Sequence, residues 1–512
     1  MAHTRGQIWL LLGALLLLIP LWWWEQTRPP AESPVYPVVA PETGAYDPAS
    51  GVLTVSLSHP DTAVSILATT DGRDPTPSDL LSKPLQILAP STAVVKSRLA
   101  YPDGTLGPVQ THNYFVGIPS QLPLLSITTE PDNLFGPQGI YRDENALERG
   151  IAWERAATAV FYDPLADPDN NQWQSDLGLR LHGGNSRNFD KKSFRLYFRE
   201  QYGTPQLNFP LFTDSDPDVP QSFDKLVVHS GGQDSGEFSR TWTLLHNQLA
   251  SDTAREMGLV APRSRPVLLF LNGEPWGIYH LRERPDEQFL RDTYGVEKPI
   301  ILNSPDTDGR ETIPPADRAT WDALLDYAAT HDLRDPAAYA YIQTQIDLGS
   351  FIDYHILQLY SANTDWPGHN YQVFRPDVPG GRWHWLVWDM DYTFGLEPRF
   401  TEYPSSTAEN DTFAQLFELT EMGAGGGHTL LFRQLWANDT FRARFQTRLD
   451  ELLATTLSPE TMLGRIDALT AVLAPEIPFE EGRWETRSRW TTGIETMRDF
   501  VQRRPEAMSN EQ

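Results

Sequence analysis

The sequence has no cysteine among its 512 residues and comparatively little positive charge. The missing thiols exclude disulfides, thiolate zinc sites, iron–sulfur clusters and cysteine nucleophiles, so a metal ion would need oxygen or imidazole ligands. The 41 Lys and Arg against 68 Asp and Glu give a net charge of -27. Because this charge repels phosphate backbones, the composition argues against general nucleic-acid binding.

The residues that are abundant describe a well-packed protein. Aromatic residues make up 11% of the chain, including 16 Trp, and hydrophobic residues make up 40%. This composition is typical of folded rather than disordered chains. At about 150 residues per domain, the length predicts two to four folding units.

The N-terminus has the features of a membrane segment. Residues 8–24 are uncharged and mostly apolar, and they end in three consecutive Trp. We predict a membrane anchor or signal segment over residues 1–28, followed by a stiff proline-rich linker over residues 29–44. An uncleaved anchor is favoured because no small-x-small cleavage site precedes the linker. The bulk of the protein is therefore expected outside the cytoplasm, on the cell membrane or alternatively secreted.

Residues 45–118 show short strand patterns separated by turns, which predicts a small β-sandwich. The segments TTDGRDPT (69–76), KPLQI (83–87) and KSRLA (96–100), with a closing Tyr114, resemble the chitobiase and β-hexosaminidase C-terminal module, which has an immunoglobulin-like fold. A spacer or docking role is favoured for this module over carbohydrate binding.

Residues 119–506 alternate strand and helix patterns, which predicts one large α+β unit. Asn272-Gly273 between two strand patterns predicts a hairpin, and Ser458 before Pro459 predicts the start of a helix. Its chemistry concentrates in two acidic segments. Asp365 precedes Asn370 by five residues in a proline- and glycine-containing loop, and Asp389 and Asp391 follow the strand pattern of residues 383–388. If that strand continues, alternation brings both carboxylates to one cavity, and oxygen ligands of this kind suit Mg²⁺. Turn capping by Asp389 and a calcium-stabilised loop are the alternatives.

The order of these residues is that of protein kinases. Kinases place an Asp, four residues and an Asn on the catalytic loop, and later a magnesium-binding Asp close to Phe-Gly. Upstream, Lys192 alternates with Phe194 and Leu196, and a lysine on an apolar face needs an anionic partner. Lys191 is expected on the solvent face.

Five segments carry a specific resemblance: RLHGGNS (180–186), KKSFR (191–195), LNGEPWGIY (271–279), DWPGHNY (365–371) and WDMDYTFG (388–395). They resemble the spore-coat CotH family of atypical kinases over about residues 120–450. The resemblance implies a divergent protein-kinase-like fold that binds ATP and Mg²⁺. It assigns Asp365 as the catalytic acid, Asn370 and Asp389 as metal ligands, Asp391 as a second ligand, and Lys192 as the partner of the nucleotide phosphates.

Other positions keep two interpretations. The turn at residues 183–186 either cradles phosphate, with Ser186, or is a simple turn. Glu283 lies either where such kinases hold the adenine or in an ion pair with Arg282 or Arg284. Glu256 is a candidate partner for Lys192, while His182 and His369 are expected to be structural rather than zinc ligands.

The function predicted from these features is that of an exported or membrane-anchored atypical protein kinase. It would transfer the γ-phosphate of ATP to Ser or Thr of envelope or surface proteins. The alternatives are a non-catalytic surface or adhesion protein that retains the fold, and a kinase-like adenylyltransferase.

Overall fold

The computed structural model describes residues 35–212, 221–303, 315–418, 426–484, 486 and 488–510. The anchor predicted over residues 1–28 lies outside these ranges. Within them, no helix combines the length and the apolar character needed to cross a membrane.

The first seven strands form two facing sheets. They are β1 (Val38–Ala40), β2 (Gly44–Tyr46), β3 (Val52–Ser58), β4 (Ser65–Thr69), β5 (Leu85–Leu88), β6 (Ser91–Ala100) and β7 (Gln110–Val116). One sheet has the order β1-β3-β5 and the other β2-β7-β6-β4. Val55 and Ile87 of the first sheet share a core with Val95 and Tyr114 of the second. Because β1 and β2 belong to these sheets, the boundary predicted at residue 45 is too late, and the end of the predicted linker is folded.

The next nine strands build a barrel and a small hairpin. They are β8 (Leu124–Thr128), β9 (Arg155–Tyr162), β10 (Gln172–His182), β11 (Ser193–Tyr197), β12 (Leu207–Asn208), β13 (Ser222–Phe223), β14 (Lys225–His229), β15 (Ser264–Leu271) and β16 (Glu274–Arg282). The closed barrel has the order β10-β11-β14-β16-β15-β8-β9, and β12 pairs with β13. The predicted hairpin is present, since β15 turns into β16 at Asn272 and Gly273, with φ of 51° and 84°.

Because side chains alternate along each strand, apolar side chains fill the inside of the barrel and polar side chains cover part of its outer face. Leu179, Phe194, Leu196 and Leu281 belong to the interior core. The residues between them point the other way, and on β10, β11, β14 and β16 they are largely basic: Arg180, His182, Arg195, Lys225, His229, His280 and Arg282. This outer basic face is one wall of the candidate site.

Helices dominate the remainder of the chain. They are α1 (Pro131–Phe135), α2 (His246–Glu256), α3 (Glu287–Tyr294), α4 (Pro315–Thr330), α5 (Pro336–Gln345), α6 (Leu348–Tyr360), α7 (Thr412–Glu418), α8 (Gly426–Trp436), α9 (Asp439–Ala454), α10 (Pro459–Leu473), α11 (Ile477–Arg483) and α12 (Trp490–Asn510). A small sheet, β17 (Pro299–Leu302), β18 (Gln372–Pro376) and β19 (His384–Leu386), lies among them. α6 is buried from Phe351 to Tyr360 and begins where the Asp347 side chain accepts a hydrogen bond from the Ser350 backbone N–H. The fold class is α+β, as predicted.

Candidate active site

Two loops of the helical part bring the predicted acids together. Asp365 and Asn370 lie between α6 and β18, and Asp389 and Asp391 follow β19. The Asn370 Nδ2 donates to Asp365 Oδ2 at 2.8 Å and approaches the Asp389 backbone oxygen at 3.4 Å. This hydrogen bond leaves the Asn370 carbonyl oxygen as its possible metal ligand.

The acids converge through a turn rather than through strand alternation. β19 ends at Leu386, so the continuing strand expected from the sequence is absent. Asp389 and Asn370 both have φ of 57°, a left-handed conformation that Asp and Asn adopt more readily than most residues. The Met390 backbone N–H donates to Asn247 Oδ1 at 2.9 Å, which fixes the turn against α2.

Asp391 is buried against a glycine loop that follows β14. Its Oδ2 accepts from the Gln233 backbone N–H at 2.9 Å. Gly232 has φ of 58°, and a Cβ placed there would lie 2.1 Å from the same Oδ2. A side chain at residue 232 would therefore displace the carboxylate.

His229 completes the group on the barrel side. Its ring, Asp389 and Asp391 each offer one ligand atom, and these three atoms lie within 4.8 Å of one another. Burial, followed by Arg282, lowers the pKa of His229 well below its ordinary value, so the ring is neutral. Its Nδ1 accepts from the Gly231 backbone N–H at 3.2 Å, which places the proton of the neutral ring on Nε2. His229 is thus better suited to donate to the carboxylates than to bind a metal.

The electrostatics of the cleft favour a cation. Burial and then the neighbouring Asp365 raise the pKa of Asp389 to about 6. Burial and then Asp389 raise the pKa of Asp391 well above its ordinary value. Closely placed carboxylates that repel each other are stabilised by a divalent ion, and carboxylate and amide oxygens are the ligands that Mg²⁺ takes. The residues therefore fit the predicted magnesium site.

Arg282 faces these acids from the end of β16. Asp389 and Asp391 both favour its charged form, although it makes no hydrogen-bonded ion pair with either within the described ranges. The side chain is 1% exposed, and none of its three guanidinium nitrogens has a hydrogen-bond partner among the described residues. The guanidinium carbon lies 5.2 Å from the centre of the Trp388 ring. Burial lowers the pKa of Arg282 to about 10, so the group stays positive at neutral pH.

Neither Arg282 nor His229 is among the site residues predicted from the sequence. The signal was the alternation of basic with apolar residues at the ends of β14 and β16. His229 pairs with His280, and Val227 pairs with Arg282, across the two strands. This pairing between distant segments aligns the basic residues into one face, and local patterns do not reveal it.

The structure gives Lys192 a different role from the predicted one. Its Nζ donates to Asp143 Oδ1 and to the backbone oxygens of Arg187 and Phe189, at 2.8–2.9 Å. Phe194 belongs to the barrel core, as the alternation predicted, but the Lys192 ammonium makes no ion pair with the predicted acids among the described residues. Lys191 is also buried rather than solvent-facing, because it pairs with Glu480 at 2.6 Å.

The two glutamates singled out in the sequence are engaged elsewhere. Glu283 is buried and pairs with Arg263 at 3.3 Å, rather than with Arg282 or Arg284. Its carboxylate also accepts from the Arg263 backbone N–H at 2.7 Å, and its role in holding an adenine stays a prediction. Glu256 pairs with Arg465 on α10 and not with Lys192.

The remaining predicted residues are Ser186 and the two histidines. Ser186 is half-exposed in the turn after β10, where a Cβ at Gly183 would meet its Oγ, and its phosphate-binding role stays a prediction. The His182 ring lies 6.0 Å from the Trp388 ring. The exposed His369 Nδ1 lies 3.1 Å from Asp365 Oδ1. Neither histidine joins a group of metal-ligating side chains within the described ranges.

The fold and the site define an α+β protein with a carboxylate-lined cleft suited to a divalent cation. A family model described as CotH kinase protein matches residues 179–508, and the chain belongs to this family. Membership points to a kinase-type enzyme. The CotH resemblance found in the sequence is thereby confirmed, whereas the chitobiase-like module stays a prediction.

Curated relatives of the chain are distant. The inner spore coat protein H of Bacillus subtilis is 18% identical over 358 residues, which cover 66% of this chain and 88% of that protein. The invasin CotH2 of Rhizopus delemar is 22% identical over 267 residues, which cover 46% of this chain and 43% of the invasin. The invasin CotH3 of the same organism is also 22% identical, over 264 residues. The chain thus spans less than half the length of the two invasins it matches.

Proposed function

We propose that this protein is a metal-dependent protein kinase that transfers the γ-phosphate of ATP to Ser or Thr of a cell-envelope or surface protein. One observation supports it above the others. Asp365, Asn370, Asp389 and Asp391 converge from two loops and face the buried guanidinium of Arg282. Carboxylates for a metal and a cation for phosphate are the parts that phosphoryl transfer needs.

Each residue has a role that its geometry supports. Asp389, Asp391 and the carbonyl of Asn370 would hold Mg²⁺, which supplies charge neutralisation at the phosphate oxygens. Arg282 adds a positive charge on the barrel side of the cleft.

Asp365 acts on the acceptor. Its side chain is 24% exposed, so an acceptor can reach it. The Asp365 carboxylate accepts the hydrogen bond of the Ser or Thr hydroxyl and orients that oxygen toward the γ-phosphorus. A new P–O bond forms as the bond to the ADP oxygen breaks, and the hydroxyl proton passes to Asp365. The hydrogen bond from Asn370 holds the carboxylate in place.

The proposed surroundings follow from two other observations. Residues 1–28 have the pattern of a membrane anchor or signal segment. The names of the relatives, a spore coat protein and two invasins, describe proteins of cell or spore surfaces. An envelope or surface protein is therefore the proposed acceptor.

Two assays of the full-length protein test the proposal. One is titration with ATP in the presence and absence of Mg²⁺, and the other is transfer of the labelled γ-phosphate of ATP to an acceptor protein. Asp389→Asn should abolish the magnesium dependence of ATP binding. Asp365→Ala should keep ATP binding and lower transfer at least about 100-fold, as expected for loss of a general base. Asp377→Asn makes the same chemical change on an exposed loop and should behave as wild type.

The outcomes separate the proposal from its alternatives. Absence of ATP binding would leave a non-catalytic surface protein. Transfer of AMP rather than phosphate, seen by mass spectrometry of the product, would identify an adenylyltransferase. Full activity in both the Asp389 and Asp365 variants would disprove the site assignment.

A further inference from the structure

A groove lies where the N-terminal sandwich meets the barrel, away from the proposed catalytic site. Its volume is about 570 Å³. The residues that line it come from the start of the sandwich, from β7, and from β9 and β10 of the barrel, and they include Val38, Glu42, Gln110, His112, Val160 and Gln172. We call it the junction groove. The proposed reaction does not use it.

The packing of the sandwich on the barrel fixes the walls of the groove. Asn113 Oδ1 of β7 accepts hydrogen bonds from the hydroxyl groups of Ser126 and Thr128 of β8, at 2.8 Å and 2.9 Å. At the groove itself, Gln174 Nε2 of β10 donates to the Thr111 backbone oxygen at 3.0 Å. A site whose walls are already in place loses little conformational entropy when a ligand binds.

The charge of the groove favours an uncharged ligand. Among the described residues that line it, Glu42 is the only Asp, Glu, Lys or Arg. Burial lowers the pKa of His112, and Glu42 only partly opposes this effect, so the imidazole is neutral at pH 7. A site with one carboxylate and no cation disfavours phosphates and other anions. Because Glu42 is exposed, its attraction for a cation is weak.

The polar side chains of the groove offer both donors and acceptors. Gln172 is exposed, and its amide, with one acceptor oxygen and two N–H donors, makes no hydrogen bond to the described residues. Gln110 Oε1 and His112 Nε2 are buried, and neither has a hydrogen-bond partner in the described part of the chain. Gln110 and His112 lie two positions apart on β7, so their side chains point to the same side. Hydroxyl groups, which donate as well as accept, match such a set.

Apolar side chains lie beside these amides. Val38 is 60% exposed, and Val160 also lines the groove. A saccharide ring carries hydroxyl groups around its rim and C–H groups on its faces, so it matches a surface that combines amides with valines. The volume lies within the roughly 300–1,000 Å³ of sites that hold small molecules, which suits a short oligosaccharide.

A peptide strand fits the groove less well. Extended peptides bind by adding to a free strand edge through main-chain hydrogen bonds. At the groove, side chains already occupy two such groups of β7. The Asn113 backbone N–H donates to Thr43 Oγ1 at 3.3 Å, and the Thr111 backbone oxygen accepts from Gln174.

We propose that the junction groove binds an uncharged oligosaccharide. The sequence favours a spacer or docking role for the sandwich taken alone, but the barrel supplies Val160 and Gln172, so the groove forms only where the two parts meet. This binding goes beyond the proposed kinase function and does not depend on it.

Fluorescence anisotropy of labelled trisaccharides, titrated with the full-length protein without nucleotide, tests this binding. The uncharged probes are the trisaccharides of glucose, galactose, mannose and N-acetylglucosamine, and the anionic probe is the trisaccharide of galacturonic acid. At least one uncharged probe should bind with a Kd of about 1 mM or lower. The anionic probe should bind at least about tenfold more weakly, because the groove holds a carboxylate and no cation.

Gln172→Ala and Gln110→Ala test whether the sugar occupies the groove. Each variant removes one amide and should weaken binding about 2- to 12-fold, the effect of losing one neutral hydrogen bond. Gln86→Ala is the matched control. Gln86 is an exposed strand glutamine of the same sandwich, accepts a hydrogen bond from Thr54 and does not line the groove. This variant should bind the sugar as wild type does.

Three results would overturn the proposal. They are a Kd above about 1 mM for all four uncharged probes, equal affinity for the anionic probe, and equal binding by the Gln172, Gln110 and Gln86 variants. Displacement of the sugar by an uncharged Gly-Ser peptide at the same concentration would identify a peptide site and would also overturn it. Failure of the proposed kinase activity is a separate result, since sugar binding is measured without ATP.

Discussion

Replacement of Arg282 by Met tests whether the buried guanidinium serves ligand binding rather than folding. The change keeps a long unbranched side chain and removes the charge. Arg282 lies 1% exposed opposite Asp389 and Asp391, and its nitrogens lack hydrogen-bond partners within the described part of the chain. We expect Arg282→Met to weaken MgATP binding without lowering the stability of the free protein.

The expected magnitudes follow from the contacts that are present and missing. A hydrogen bond to a charged group contributes about 1.5–3 kcal/mol, so loss of a phosphate contact weakens ATP about 10- to 150-fold. The pKa of about 10 for Arg282, against 12.5 for a free group, corresponds to about 3 kcal/mol of unfavourable burial. Replacing such a charge by an apolar side chain of similar size should leave the free energy of unfolding unchanged or higher.

The assay combines calorimetric titration of MgATP with urea denaturation in the absence of nucleotide. Arg263→Met is the matched control, because Arg263 is also buried but pairs with Glu283. Removal of one partner of a buried pair should cost about 3–5 kcal/mol of stability. Arg263→Met is thus expected to lower the free energy of unfolding, and Arg282→Met is not.

A ligand-binding role for Arg282 would be refuted if Arg282→Met lowered stability as much as Arg263→Met while ATP affinity stayed within twofold of wild type. Arg282 would then be a structural residue. Arg282→Lys should give intermediate ATP affinity, since it keeps the charge but loses the planar fork.

Two further predictions address the glycine loop and the acid sensitivity of the fold. Gly232→Ala should abolish magnesium-dependent ATP binding, because its Cβ would meet the Asp391 carboxylate. The control Gly258→Ala, at φ of 83° with open space around it, should keep ATP binding and cost only about 1–2 kcal/mol of stability. Unchanged ATP binding in the Gly232 variant would contradict the role of the glycine loop. Burial lowers the pKa of His355 to about 3 in the folded protein. As the pH falls below about 6.5, the His355 ring is therefore protonated in the unfolded chain but not in the folded one. This difference should lower the free energy of unfolding by about 2 kcal/mol at pH 5. Urea denaturation at pH 7.5 and pH 5 should therefore show that His355→Phe loses about 2 kcal/mol less stability on acidification than wild type does. Equal losses in the two proteins would contradict the prediction.

The elements predicted well from the sequence are those set by neighbouring residues. The strand Leu85–Leu88 and the β15–β16 hairpin follow from alternation and an Asn-Gly turn. α10 follows from Ser458, whose side chain accepts from the Thr461 backbone N–H. The convergence of Asp365 with Asp389 was predicted from the order of the motifs.

The errors come from geometry that neighbouring residues do not determine. The alternation of Lys192 with Phe194 predicted a shared face correctly, but closure of the barrel makes that face the interior. Arg282 joins His229 only because β14 pairs with β16, and the sequence separates these strands by the whole of α2. The left-handed turn at Asp389 replaced the expected strand because Asp tolerates a φ of 57°.

The charges on the two walls of the cleft bear on the choice between an enzyme and a scaffold. On one wall the half-buried Asp389 and the buried Asp391 repel each other, and on the other Arg282 is buried and donates no hydrogen bond to the described residues. The opposite charges do not form an ion pair that would compensate their burial. A scaffold gains nothing from this arrangement, since apolar side chains of similar volume would be at least as stable. A divalent cation beside the acids and phosphate oxygens beside the arginine would satisfy both walls at once, which is the arrangement that the proposed kinase function requires.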